Sequence, residues 1–153
     1  MDQATIKEGG CQCGAVRYRF IGKPVVTYLC HCQECQKQSA SAFGISVQVR
    51  RKNFEITMGT PKFWQRLASS GRGVLCAFCP DCGSRLYHAS NHESENVSIK
   101  GGSLDDVSDL KPLGHLWTRS AQPWVKIDRG GTAFAFETEP EDFDEQLAHW
   151  AQV

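Results

Sequence analysis

The segment "AVRYRF" alternates, with Val16, Tyr18 and Phe20 on one side and Arg17 and Arg19 on the other. A period of two predicts a strand with one buried face. "AFGISVQV" repeats the pattern with Phe43, Ile45, Val47 and Val49. The runs "FEIT", "VLCAF", "RLYHA", "NVSIK", "HLWT", "WVKI" and "TAFAFE" read as further strands, several of them separated by turn signals such as "MGTP", "SSGRG" and "KGGS". Helical spacing is clear only in "TEPEDFDEQLAHW", which sets Phe143, Leu147 and Trp150 on one face. There Thr138 and Glu141 fit a capping box, and Pro140 falls in the first turn. "QECQKQ", after Cys32, fits a short helical turn. The pattern predicts a mainly β, mostly antiparallel domain over residues 1–153, ending in a short helix.

Composition narrows the function. The chain has 153 residues, enough for a hydrophobic core without covalent staples. Lys plus Arg and Asp plus Glu both number 17, so no net field draws in nucleic acid or an anionic membrane. No stretch approaches the ~20 apolar residues that span a bilayer. The opening "MDQATIKEGG" lacks an apolar core, which predicts no secretion signal and a cytoplasmic location. In a reducing compartment, eight closely spaced cysteines point to metal or redox chemistry rather than to disulfides.

The cysteines form three groups: Cys11 and Cys13; Cys30, Cys32 and Cys35; Cys76, Cys79 and Cys82. None contains the four ligands of a closed tetrahedral zinc, so a site must join distant segments. Cys11 and Cys13, two apart before a strand, can present both sulfurs to one side. "FCPDCG" reads as a zinc knuckle, with Gly83 permitting the reversal after Cys82. Cys11, Cys13, Cys79 and Cys82 together would close a four-thiolate structural site. Cys76 is then spare, either as a small buried residue or as a further ligand of the other metal.

Cys30, Cys32 and Cys35 remain. Three protein ligands with one open position is the pattern of a working zinc. With three thiolates the complex carries a formal charge of −1, which weakens its Lewis acidity but suits exchange of a soft fourth ligand such as a substrate thiolate. His31 lies between two of these cysteines. In extended chain it would point away from them, as a packed or hydrogen-bonded histidine. His88, His92, His115 and His149 show no obvious ligand spacing.

The segments "GGCQCGAVRYRF", "CHCQECQKQSASAFG", "FCPDCGSRLYH", "VSIKGGSLDD" and "HLWTRSAQPWVKI" lie in order over about residues 9 to 127. In these segments the chain resembles the glutathione-dependent formaldehyde-activating enzyme family, also called the centromere-protein-V/formaldehyde-activating family. The resemblance implies an Mss4-like fold of antiparallel β-sheets organised around zinc. It implies two zinc ions per chain: a structural one on Cys11, Cys13, Cys79 and Cys82, and a catalytic one on Cys30, Cys32 and Cys35. It implies glutathione as co-substrate, a small thiol and aldehyde as partners, and formation or cleavage of S-(hydroxymethyl)glutathione by a carbon–sulfur lyase. Arg119 and Ser120 depart from the acidic residue and lysine of many relatives, which bears on the substrate.

Glutathione carries two carboxylates, so Arg50, Lys52, Arg66, Arg72, Arg85 and Arg119 are candidate contacts by type. Trp117 and Trp124, in strand-like runs, read as core, and Glu34 in the ligand loop is a candidate proton carrier. Two other readings share the cysteines: a carbon–sulfur lyase or thiol-adduct enzyme with a different substrate, and a non-catalytic Mss4-like zinc module. A nucleic-acid role is disfavoured by the neutral charge and the lack of a basic aromatic stripe.

Overall fold

The computed structural model describes residues 5–68, 70–150 and 152. Mainly antiparallel β-sheet organises the chain, as the alternating pattern predicts. A three-stranded sheet has the order β1 (Ile6–Gly10), β2 (Arg17–Ile21), β5 (Phe54–Met58). The larger sheet has eight strands. Its centre is β3 (Val26–Cys30), β4 (Gly44–Arg50), β9 (Asn96–Lys100), β8 (Arg85–Ala89), β7 (Gly73–Phe78) and β6 (Lys62–Leu67), in that order. Beyond β3 lie β10 (Gly114–Leu116) and β11 (Phe134–Ala135). All pairs are antiparallel except β10, which runs parallel to both β3 and β11. Helix α1 (Gln33–Ser39) follows β3, and α2 (Phe143–Trp150) closes the chain.

Burial explains most of these strands. In β2, Tyr18 and Phe20 are buried while Arg17 and Arg19 face outward, Arg17 pairing with Asp105 and Arg19 with Glu55. Val47 and Val49 of β4 and Val97 and Ile99 of β9 face the same way and join Tyr18 and Phe20 in the main core between the sheets. Cys11 and Cys79 belong to that core too. The opposite face of the large sheet is polar: Gln48, Ser98 and His88 lie directly across from one another on β4, β9 and β8. A second core gathers Val26, Tyr28, Leu116, Phe134, Phe143 and Leu147 beneath α2, together with Cys30 and Cys35. Each cysteine cluster is therefore seated at the margin of a different core.

Several details differ from the sequence expectation. Residues 124–127, "WVKI", form no strand; they follow Pro123, which has no N–H for a ladder. Trp124 is accordingly 70% exposed rather than core. "HLWT" stops at Leu116, because Trp117 turns into the left-handed region at φ 58°. Of "TAFAFE" only Phe134 and Ala135 form a strand, with the N–H groups of Ala133 and Phe136 donating to Leu113 O and His115 O on either side. The Thr138/Glu141 capping box does not start α2. That helix begins at Phe143, and Asp142 takes the capping place: its carbonyl accepts from Gln146 N at 2.9 Å and its carboxylate from Gln146 Nε2 at 2.8 Å. Among the described residues no helix is long and apolar enough to cross a membrane.

Candidate functional site

Two chain reversals bring four cysteines together. After β1 the chain turns at Gly14 (φ 79°), whose N–H donates to Cys11 O at 3.1 Å. After β7 it turns at Gly83 (φ 75°), whose N–H donates to Cys79 O at 2.9 Å. A positive φ costs glycine nothing, and no Cβ is there to clash. Ser84 ties the reversals together: its Oγ accepts from Gln12 N at 3.0 Å and lies 3.2 Å from Cys82 Sγ. The sulfurs of Cys11, Cys13, Cys79 and Cys82 all lie within 4.8 Å of one another. Cys13 Sγ sits 3.6 Å from Cys11 Sγ and 3.7 Å from Cys79 Sγ. A tetrahedron of ~2.3 Å Zn–S bonds has edges of about 3.8 Å, so this donor set fits zinc.

The second cluster is built at a strand end and a helix start. Cys30 ends β3, Cys32 is the N-cap of α1, and Cys35 lies in its first turn. The cap itself is a sulfur: Cys32 Sγ accepts from Cys35 N at 3.3 Å. The three sulfurs lie within 4.8 Å of one another, with Cys30 and Cys35 buried and Cys32 half-buried. Their charges compete. Bonds from the Cys30 and Cys35 thiols push Cys32 down to about 2. The bond to Cys32 pushes Cys30 well up; Cys35, lowered by Cys30 but raised more by Cys32 and burial, reaches about 11. One thiolate is comfortable here and three are not, unless a cation sits among them. The trio therefore also has the chemistry of a metal site. Among the described residues these are the two groups of three or more potential ligands.

Cys76 belongs to neither. It is fully buried in β7, its Sγ 3.8 Å from Val74 O, which matches the small-buried-residue reading. His31 also keeps clear of the sulfurs. It is fully buried, its ring stacks on His115 at 5.2 Å, and Nε2 meets His115 Nδ1 at 2.9 Å. Burial, then the charge of His115, pushes His31 down to about 4, so the pair is neutral at pH 7.

All three cysteines of the trio open onto a cavity of about 1270 Å³. Its floor is the polar face of the large sheet, and Trp117, Arg119, Phe143 and Leu147 form much of the opposite wall. Trp117 is thus a cavity wall as well as a neighbour of the second core, and Arg119 stacks on its ring at 5.2 Å. Of the candidate cations, Arg50, Arg66, Arg72 and Arg119 line the cavity, whereas Lys52 and Arg85 do not. Glu34, in the first turn of α1, lines it too. The sequence holds no hint of Gln36. Its Nε2 donates to His31 O at 2.7 Å and Ser120 O at 2.9 Å, so one amide fastens α1 to the Arg119 segment. Nor did it single out His88, which reaches the cavity while its Nδ1 lies 2.9 Å from Lys100 Nζ.

A family model described as glutathione-dependent formaldehyde-activating enzyme matches residues 6–120. The chain belongs to this family. The matched segment contains both cysteine clusters and ends at Ser120, so the family region stops short of α2, which completes the cavity wall. A curated protein of Halomonas elongata, provisionally named a glutathione-dependent formaldehyde-activating enzyme, is 25% identical over 149 residues, covering 94% of this chain and 92% of that protein. The crystal structure of a Rhodobacter sphaeroides protein is similar with a TM-score of 0.51 and 19% identity, covering 67% of this chain and 91% of that one. That likeness concerns the fold.

Proposed function

We propose that the chain joins a glutathione-type thiol to formaldehyde, giving S-(hydroxymethyl)glutathione, or runs the reaction backwards as a carbon–sulfur lyase. The observation that carries this reading is the three-sulfur cluster at the wall of a cavity of about 1270 Å³, in a family named for this chemistry. In the forward direction the thiol sulfur bonds to the aldehyde carbon, the carbonyl π bond breaks, and the thiol proton ends on the new hydroxyl. Cys30, Cys32 and Cys35 would hold the catalytic zinc, and Cys11, Cys13, Cys79 and Cys82 a structural one. When bound at the trio, zinc supplies a soft position that favours the thiolate form of an incoming thiol.

The chain's own residues do the rest. The cavity brings thiol and aldehyde together, replacing a two-body encounter with a local one. Trp117 and Leu116 give the trio an apolar border that limits water there. The Gln36 clamp keeps α1, and with it Cys32 and Cys35, in register with the Arg119 segment. Glu34, on the cavity side of α1, is placed to carry a proton between solvent and the site. A chain working through free thiols fits a reducing compartment such as the cytoplasm. Exchange NMR on glutathione plus formaldehyde tests the reading. Acceleration in the wild type that is lost in Cys32→Ser is the expected result; an unaccelerated rate in fully metallated protein overturns it.

A further inference from the structure

A second cavity, of about 590 Å³, touches both cysteine clusters and is lined by Cys11, Cys35, Arg85 and Lys100. Its two cations lack an anion. Neither Lys100 nor Arg85 makes an ion pair among the described residues. Arg85 Nε and Nη2 are buried without a partner. Among the described residues one carboxylate lines this cavity, that of Asp105, and Arg17 takes it, with Nη1 donating at 2.9 Å. A buried cation is costly unless something offsets its charge. Of the lining side chains, only the cysteines are left to carry a negative one.

Strand register aims Lys100 at the trio. Lys100 on β9 stands opposite Ser46 on β4, and Cys30 on β3 stands opposite Gly44. Gly44 and Ser46, two residues apart, share a face of the sheet. Cys35 packs over that face: a Cβ at Gly44 would lie 3.3 Å from Cys35 Cβ and 3.7 Å from Cys35 Sγ. Lys100 is thus the diagonal neighbour of the position that Cys35 covers, about 7–8 Å away and within reach of a long side chain. Burial pushes the Lys100 amine down, and the charge of Cys35 is the largest pull the other way, ahead of Cys76 and Cys30. His88 fixes the direction of the side chain. It faces Ser98 across β8 and β9, and its Nδ1 lies 2.9 Å from Lys100 Nζ. An ammonium donates three bonds and accepts none, so Nδ1 is the acceptor and the ring is neutral. The other two donors of Lys100 have no partner among the described residues.

We infer that Lys100, oriented by His88, is the built-in counter-cation of the Cys30, Cys32 and Cys35 metal centre. Three thiolates around a divalent ion leave a net charge of −1, and a substrate thiolate in the fourth place adds another. A fixed positive charge on the sheet side of the cluster offsets that build-up. Lys100 is a positioning residue: it acts through the cysteines, holding them ionised and metal-loaded, and touches neither thiol nor aldehyde. This role rests on the trio as a metal centre, not on the identity of the aldehyde.

Cobalt(II) titration reads the centre through its thiolate charge-transfer absorbance. The absorbance lost in Cys35→Ser belongs to the trio, and the remainder, from the four-cysteine site, is the internal control. Lys100→Met keeps the length of the side chain without its charge. Its cobalt affinity at the trio should fall about ten- to hundred-fold, the effect of removing a nearby opposite charge, and change less than about three-fold at the control site. Lys100→Arg should restore most of the loss. Urea unfolding supplies a sign that a merely structural lysine would not give. In Cys35→Ser, where the trio lacks a ligand, adding Lys100→Met should leave the midpoint unchanged or raise it, because an unmatched buried charge is removed. In the metal-loaded wild type the same change should lower it. If Lys100→Met does not fold, Lys100→Gln carries the same two readings. Equal cobalt affinity at the trio in wild type and Lys100→Met, or an equal fall of the midpoint in both backgrounds, overturns the counter-cation even if exchange with formaldehyde is fast. Weakened cobalt binding in Lys100→Met, with no exchange activity in the wild type, upholds the counter-cation and discards the reaction. A cobalt absorbance that Cys35→Ser leaves unchanged overturns both.

Discussion

Leu147→Ala tests whether α2 is part of the site or an appendage outside the family-matched region. Leu147 is 2% exposed, belongs to the core with Tyr28, Leu116 and Phe134, and lines the cavity. The substitution removes three buried carbons. At about 0.8 kcal/mol each, the transfer cost is about 2.4 kcal/mol. The space left behind adds to this, for a total of about 3–4 kcal/mol. In a domain of this size that lowers Tm by roughly 6–16 °C. Urea unfolding followed by tryptophan fluorescence reads the change directly, because Trp150 stacks on Phe134 at 4.0 Å within the same cluster. The slope with urea should stay constant while the midpoint falls. A loss under 1 kcal/mol would refute the reasoning: α2 would then open independently of the core, and the cavity would lose a wall in solution.

Gly59→Ala should destabilise by about 2 kcal/mol or more in the same assay, since φ is 74° and an added Cβ would lie 2.1 Å from the backbone oxygen of Ala15. Cys76→Ala should cost only about 1 kcal/mol and leave zinc content by inductively coupled plasma spectrometry unchanged, because the side chain is buried away from both clusters. Burial, then the nearby Lys100, Arg66, Arg85 and Arg72 charges, depresses His88 well below the ordinary histidine range. The unfolded chain therefore binds a proton near pH 6.5 that the folded chain refuses, so the contribution of His88 is complete above that pH and fades as pH falls below it. Stability measured from pH 7.5 to 5 should decline less steeply in His88→Gln than in the wild type; parallel slopes would contradict the assignment.

The sequence is readable where one strand face is buried and the other wet. Val16, Tyr18 and Phe20 against Arg17 and Arg19 show this, as do Val47 and Val49. It is silent where that contrast fails. β1, "IKEGG", is a strand because Gly9 lets the backbone approach Tyr18 and Ser103; a Cβ there would lie 2.4 Å from the Tyr18 hydroxyl. β6 is an edge strand with Trp64 and Leu67 at 53% and 71% exposure, so burial imprints no clear alternation on it. β3 lies inside the sheet and is buried on both faces, Thr27 included, so it shows no alternation. The parallel pairing of β10 is a long-range choice that no local pattern encodes.

The grouping of the cysteines was legible because their close spacings fix which sulfurs can converge; the structure brings Cys11, Cys13, Cys79 and Cys82 together and leaves Cys76 out. The cavity was not legible. Arg66, Ser98 and Gln48 are far apart in sequence and ordinary in type. Their distinction is burial without a partner, a property of the packed sheet.

Zinc content per chain, measured in parallel on reduced wild type, Cys35→Ser and Cys82→Ser after saturation and desalting, addresses the core of the account. Two ions in the wild type and one in Cys35→Ser with the fold retained, against marked destabilisation in Cys82→Ser, is the predicted result. One ion in the wild type, unchanged in Cys35→Ser, would contradict it and leave the trio without a metal to hold.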